Sequence, residues 1–193
     1  MSLVVNGRNA EKLAATAEAI AKESGVAVTP VVADLNEQSE RERLIAACPE
    51  ADILVNNNAG PPPGRFEDWD HADWLAALEA NLLAPAMMIR GVLPGRKERG
   101  FGRIVNITSG MVKTPKGPMA LSTTARTGLT ALCKSLSAEA VKQNVTINNL
   151  LPERVDTPRQ EQMTQFVMKL SGVSYEEARA QPVASIAAGR LGL

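Results

Sequence analysis

Short apolar segments alternate with longer amphipathic ones along almost the whole chain, and that alternation leaves few folds open. Leu3-Val-Val5, Val26 to Ala33, Asp52-Ile-Leu-Val55, Gly102 to Ser109 and Val145 to Leu151 each have the length and apolar content of a strand. Helical patterns separate them. Asn9 caps one that runs to about Ser24 and stops at Gly25, and Asn36 or Ser39 opens a second through Leu44, Ile45 and Cys48 to Pro49. A third runs from Asp73 to about Leu93 and is apolar on more than one face. A fourth, from Ser122 to about Val141, places Ala125, Leu129, Leu132, Leu136 and Ala140 at helical spacing. Beyond Pro152 two more helical patterns follow, near Asp156 to Leu170 and Ser174 to Ala180, the latter opened by a Ser174-x-x-Glu177 capping box. Strands joined through helices predict a parallel sheet covered on both faces, an α/β fold of the doubly wound, Rossmann-like kind. The 193 residues suit one such domain spanning 1–193.

Composition narrows the partners. Lys plus Arg equals Asp plus Glu at 21 each, so no net field draws the chain to nucleic acid or to an anionic membrane. Arg96-Lys-Glu-Arg99 and Arg103 read as a solvated loop, and a neutral small-molecule or protein partner is expected. No apolar run approaches the roughly 20 residues of a membrane span, and the first eight residues are too short and too polar for a secretory signal. Cys48 and Cys133 are isolated and His71 is the sole histidine, which predicts buried thiols, no metal site and a soluble protein in a reducing cytoplasm.

Five motifs carry the chemistry. Ser109 closes the fourth strand, Ser122 stands thirteen positions later, and Arg126 follows four after that on the same helix. Asn57-Asn-Ala-Gly60 follows the third strand and leads into Pro61-Pro-Pro63, which forbids both helix and interior strand. Asp34 ends the second strand, Asn81 lies in the long helix, and Asn148 and the segment from Pro152 to Thr157 follow the fifth strand. In this order they resemble the short-chain dehydrogenase/reductase family, in which a strand-end Ser precedes a helical Tyr-x-x-x-Lys by the same interval. The resemblance covers nearly all of the chain.

The resemblance implies a catalytic quartet of Asn81, Ser109, Ser122 and Arg126, in a divergent form with Ser and Arg in place of Tyr and Lys. It implies that Asn58, Ala59 and Gly60 let backbone approach the adenosine of a dinucleotide, and that Asp34 meets its adenine ring. It also implies that Val155, through its backbone, and Thr157, through its hydroxyl, hold the nicotinamide carboxamide, although Thr157 can equally cap a helix. Arg8 and Asn9 follow the first strand where NAD-dependent relatives carry an acid; a guanidinium there suits a 2′-phosphate and favours NADP(H) over NAD(H). The substrate would be a small carbonyl or alcohol over Ser109, near the segment from Arg159 to Gln181, and the helices from Asp73 and from Ser122 resemble those of the family's subunit interface, implying a homodimer or homotetramer.

Two departures bear on activity. General acid–base work needs a pKa that can be brought near the operating pH; a phenol begins near 10 and Lys can be tuned, but Arg stays charged above about 12. Ser122 and Arg126 therefore do not supply the family's proton. Tyr175, the only tyrosine, and His71 are the other candidates, the first in an ordinary helix-start context and the second in an acidic one that suits a solvated or capping role. The second departure is that no Gly-x-x-x-Gly-x-Gly or Gly-x-Gly-x-x-Gly occurs. By the resemblance the chain starts at the family's second strand and stops at Arg190-Leu-Gly-Leu193 before a further helix and last strand, so the sheet lacks a central strand with its helix and a terminal strand. Such a sheet leaves facing edges unpaired. Three readings follow: the residues are an ordered subset of a longer protein, which we favour, or a fragment, or a partner completes the sheet. Redox function is the leading expectation, and a non-catalytic relative that binds a nucleotide or a protein partner is the alternative.

Overall fold

The computed structural model describes residues 2–186 and 188–192. Where the sequence reads as one domain, the fold divides into two compact units, residues 1–151 and 152–193. The first contains β1 (Ser2–Gly7), α1 (Ala10–Ser24), β2 (Ala27–Val32), α2 (Gln38–Ala46), β3 (Ile53–Asn56), α3 (His71–Leu78), α4 (Ala84–Arg99), β4 (Gly102–Ile107), α5 (Ala120–Ala140) and β5 (Val145–Leu150). The second contains α6 (Pro158–Ser171) and α7 (Tyr175–Ala184).

All strand pairs are parallel, as the helix-separated strands require. They form two sheets, β1-β2 and β3-β4-β5, with no ladder between β1 and β3 among the described residues. Ile53 and Val55, which point to one face of β3, are 55% and 57% exposed. Helix ends follow their sequence signals. Asn9 Oδ1 accepts from the Lys12 amide at 2.8 Å, Gly25 takes the left-handed conformation at φ 69°, and Ser174 with Glu177 forms the capping box of α7.

The core lies between the three-stranded sheet and helices α4 and α5. Ile89, Ile104, Leu129, Cys133, Ala140, Val145 and Ile147 form it, with Ile89 and Ile104 fully buried. Each such isoleucine contributes about 1.5–3 kcal/mol relative to an exposed one. β4 buries alternate residues, Gly102, Ile104 and Asn106, so an amide side chain sits in this apolar face. Register explains it. Asn56, Asn106 and Asn149 lie side by side on β3, β4 and β5; Asn56 Nδ2 donates to Asn106 Oδ1 at 2.9 Å, and Asn106 Nδ2 donates to Asn149 Oδ1 at 3.0 Å and to Cys133 Sγ at 3.2 Å.

Burial pushes the Cys133 thiol from about 9 up to about 11, against the lowering effect of the Asn106 donor. Below about pH 9 the thiol is neutral in both folded and unfolded chains; above it the unfolded chain ionises first, so stability falls as pH rises toward 11. The loss is expected to reach roughly 2–3 kcal/mol, and Cys133→Ala should flatten it, as denaturant titrations at pH 8 and pH 10.5 would show.

The long helix departs from the simple pattern. It spans His71 to Arg99 and is long and apolar enough by length and composition to cross a membrane, but its buried polar residues bind the fold: Asn81 Nδ2 donates to the Ala59 carbonyl at 2.9 Å and Arg96 Nε to that of Asp52 at 3.2 Å. Between α3 and α4, Glu79–Leu83 widens into a π turn, in which the Ala84 amide donates to the Glu79 carbonyl. Pro85 gives the reason: it has no amide to offer the Asn81 carbonyl, and its ring would crowd that carbonyl in a regular helix.

Candidate active site

The C-terminal ends of β3 and β4 meet the first turn of α5, and three predicted residues converge there. Ser122 and Arg126 share a face of α5 because they are four apart, and Arg126 Nε donates to Ser122 Oγ at 3.1 Å. Ser122 Oγ in turn donates to Asn81 Oδ1 at 3.3 Å, while Asn81 uses its amide on the Ala59 carbonyl. Arg126 also donates to the carbonyls of Ile107 at 2.7 Å, Thr108 at 3.3 Å and Asn58 at 3.1 Å. It therefore fastens the loop after β3 to the turn after β4.

Gly60 lies against this hub. A Cβ there would come within 3.3 Å of Ser122 Oγ and 3.5 Å of Asn81 Oδ1, so the close approach of backbone favours glycine. Ser122 is only 7% exposed, enclosed by Asn81, Arg126 and Gly60. Ser109 sits one residue beyond the Thr108 carbonyl that Arg126 holds. It lies in the turn past β4, which ends at Ile107, and its Oγ accepts from the Met111 amide at 3.2 Å, leaving the hydroxyl proton available to donate.

Of the predicted adenosine-side residues, Arg8, Asn9 and Asp34 form a second group at the ends of β1 and β2, while Asn58, Ala59 and Gly60 belong to the hub after β3. Arg8 Nη1 lies 3.8 Å from Asp34 Oδ2, with the Arg8 side chain 70% exposed. Asn9 spends its side-chain oxygen on capping α1. Asp34 Oδ1 accepts from the Asn36 amide at 3.0 Å, and the Asp34 amide donates to the Glu40 carboxylate. Asn58 Oδ1 is buried without a hydrogen-bond partner beside Ala59 and Gly60.

Val155 and Thr157 belong to the second unit. Val155 forms a parallel bridge with Gly192, and Thr157 occupies the cap position of α6 with its hydroxyl donating to the Val155 carbonyl at 3.4 Å rather than capping the helix. In the same unit Tyr175 donates to Glu161 Oε2 at 2.8 Å, and that bond, burial and the carboxylate charge raise the phenol pKa, the wrong direction for a proton-accepting role at neutral pH. His71 follows the Asp70 capping box at the start of α3 and is exposed. Asn148 donates weakly to Thr146 Oγ1 at 3.4 Å. No cluster of three His, Cys, Asp or Glu able to hold a metal occurs among the described residues.

Parallel strands wrapped by helices, with an Asn–Ser–Arg hub and a strand-end Ser at the strands' C-terminal ends, define a Rossmann-like α/β oxidoreductase scaffold. A family model, short chain dehydrogenase, matches residues 1–167, and the chain belongs to that family. The NADPH-dependent reductase BacG of Bacillus subtilis (strain 168) is 29% identical over 196 residues, covering 99% of this chain and 76% of that protein. D-beta-hydroxybutyrate dehydrogenase of Rhizobium meliloti (strain 1021) is 30% identical over 183 residues, covering 91% and 70%. Among solved structures, an actinorhodin polyketide ketoreductase with NADPH superposes with a TM-score of 0.91 at 31% identity, covering 97% of this chain and 74% of that one. YwfH, an NADPH dependent reductase involved in bacilysin biosynthesis, gives 0.90 at 27% identity, covering 100% and 76%.

Proposed function

We propose that the protein is an NADP(H)-linked oxidoreductase acting on a small carbonyl or alcohol. The observation that carries this is the hydrogen-bonded convergence of Asn81, Ser122 and Arg126 on the Asn58–Gly60 loop, next to Ser109. The exposed Arg8 guanidinium would take the 2′-phosphate, and the Asn58–Gly60 backbone with the orphaned Asn58 oxygen would face the adenosine side. Names of similar proteins support the cofactor choice, since BacG and YwfH are NADPH-dependent reductases. When bound, the nicotinamide supplies or accepts hydride. The chain's part is to orient: Ser109 donates to the substrate oxygen, and Arg126 fixes both loops and places a positive field behind that oxygen. Our reading extends to a cytoplasmic homodimer or homotetramer with neither nucleic acid nor membrane as partner.

One observation favours a second reading, a relative that binds nucleotide without turnover. Ser122 donates its proton to Asn81 and its neighbour is a permanently charged guanidinium, so the hub contains no group that titrates near neutrality. Fluorescence titration with NADPH, followed by its oxidation against a panel of ketones and aldehydes, separates the two. Binding with turnover is expected; binding alone selects the second reading, and no binding removes both. Arg8→Ala should weaken NADPH about tenfold while leaving NADH within about twofold, and an equal loss for both would refute the 2′-phosphate role.

A further inference from the structure

Arg41 is nine-tenths buried in α2 and stands outside the hub described above. Its Nη1 donates to two groups from different parts of the chain. One is the carbonyl of Leu35, directly after Asp34. The other is Glu79 Oε1, at 2.9 Å, and Glu79 is the residue that opens the π turn. That turn carries Asn81, whose amide reaches Ala59 and whose oxygen accepts from Ser122.

We propose that Arg41 is a positioning residue: acting through Glu79, it holds the π turn in the register that aims Asn81 at the Ala59 loop, and through Leu35 it ties the same turn to the Asp34 loop. The inference rests on the redox reading for its functional meaning, but its structural content does not depend on turnover.

Three observations make the tie necessary rather than incidental. A π turn is rare and occurs mostly as a single turn within an α-helix, frequently at a functional site, and here it is the segment that carries Asn81. Pro85 removes one internal donor, so the turn is short of backbone bonds at the point where Asn81 must be placed. Glu79 is engaged twice, its carbonyl by the Ala84 amide and its carboxylate by Arg41, which fixes the first residue of the turn at both ends. One nitrogen meets both partners, its two N–H bonds directed at a carbonyl and a carboxylate. On the Leu35 side the loop is already ordered by Glu40 on the Asp34 amide and by Asp34 on Asn36, so Arg41 links two built loops and does not merely brace a floppy one. Displacement of Asn81 by about 1 Å would suffice to degrade a catalytic geometry.

The test is amide hydrogen exchange on the full chain without cofactor, comparing Arg41→Met, Arg41→Lys and Glu79→Gln with the parent. Arg41→Met is expected to raise exchange at 81–84 and at 35–37 by about tenfold while leaving the β4 amides of Ile104 and Val105 unchanged. Glu79→Gln should raise it at 81–84 only, and Arg41→Lys should restore much of the protection. In the same variants kcat should fall with the KM for NADPH little changed for Glu79→Gln, whereas for Arg41→Met kcat should fall and the KM for NADPH rise. A uniform rise across the π turn and β4, or no rise at 81–84 in any variant, would overturn the proposal. Should Arg41→Met fail to fold, Glu79→Gln and Arg41→Lys carry the same comparison. A parent that neither binds nor oxidises NADPH would sink the redox reading, while the exchange pattern would still decide whether Arg41 holds the turn.

Discussion

An Arg126→Met variant is expected to lose about 4 kcal/mol of unfolding free energy and to reduce NADPH-linked turnover by at least about a hundredfold. Methionine keeps much of the side-chain length and apolar stem, so the change removes hydrogen bonds more than volume. The carbonyls of Asn58, Ile107 and Thr108 and the Ser122 hydroxyl lose their donor together. Each such bond from a charged donor contributes about 1.5–3 kcal/mol, and water entering the vacated space returns part of the total. The larger effect falls on geometry. Arg126 joins the loop after β3 to the turn after β4, so its loss frees the Asn58–Gly60 backbone from the strand end that leads to Ser109. Arg126→Lys should fall between parent and Met, because an ammonium cannot span three carbonyls and a hydroxyl with one planar fork. Urea titration reads the stability, and an unchanged m value would show that the same unfolding is being compared. Parent-like stability for Arg126→Met would mean that the clamp is dispensable.

Much of this arrangement was legible because local chemistry and fold agree. Asn9, Gly25, Ser174 and Glu177 act at helix ends where their side chains or backbone freedom require it, and strands separated by helices could pair only in parallel. The four-residue spacing of Ser122 and Arg126 put them on one face, and the contact follows. What the sequence concealed is where polar side chains point. Ser122 reads as a catalytic position but is enclosed by Gly60 and Asn81, a consequence of loop packing across 41 residues. Arg41 and Glu79 are 38 apart, and nothing local marks them as partners. The π turn did leave a signal: a proline four residues after Asn81 inside a helical pattern must disturb the helix there. The Asn56–Asn106–Asn149 row left one as well, an amide at each of three strand ends, but only the parallel register converts three polar residues into a ladder.

That ladder sets the second large expectation. Asn106→Leu should cost about 4 kcal/mol, although leucine matches the branched shape of asparagine, with two methyl groups in place of the amide oxygen and nitrogen, and leaves no cavity. The cost lies in the neighbours. Asn56 loses its acceptor, Asn149 loses its donor, and each partly or wholly buried amide left unpaired costs about 1–3 kcal/mol. Asn106 itself is fully buried, so water cannot easily replace what is lost. If this account holds, making the row apolar throughout, Asn56→Leu with Asn106→Leu and Asn149→Leu, should recover most of the loss, because no polar group then remains to be satisfied. The three changes would be strongly non-additive, and denaturant titration of singles, pairs and triple measures the coupling directly. Additive losses would instead show that each asparagine acts alone. A stable triple variant also tests what the row does for the site: Asn56 and Asn106 are the last residues paired between β3 and β4 before the Asn58–Gly60 loop and the Thr108–Ser109 turn. An apolar row of equal stability but without fixed amide pairing should let β3 slide against β4, and NADPH turnover should fall even where unfolding free energy does not.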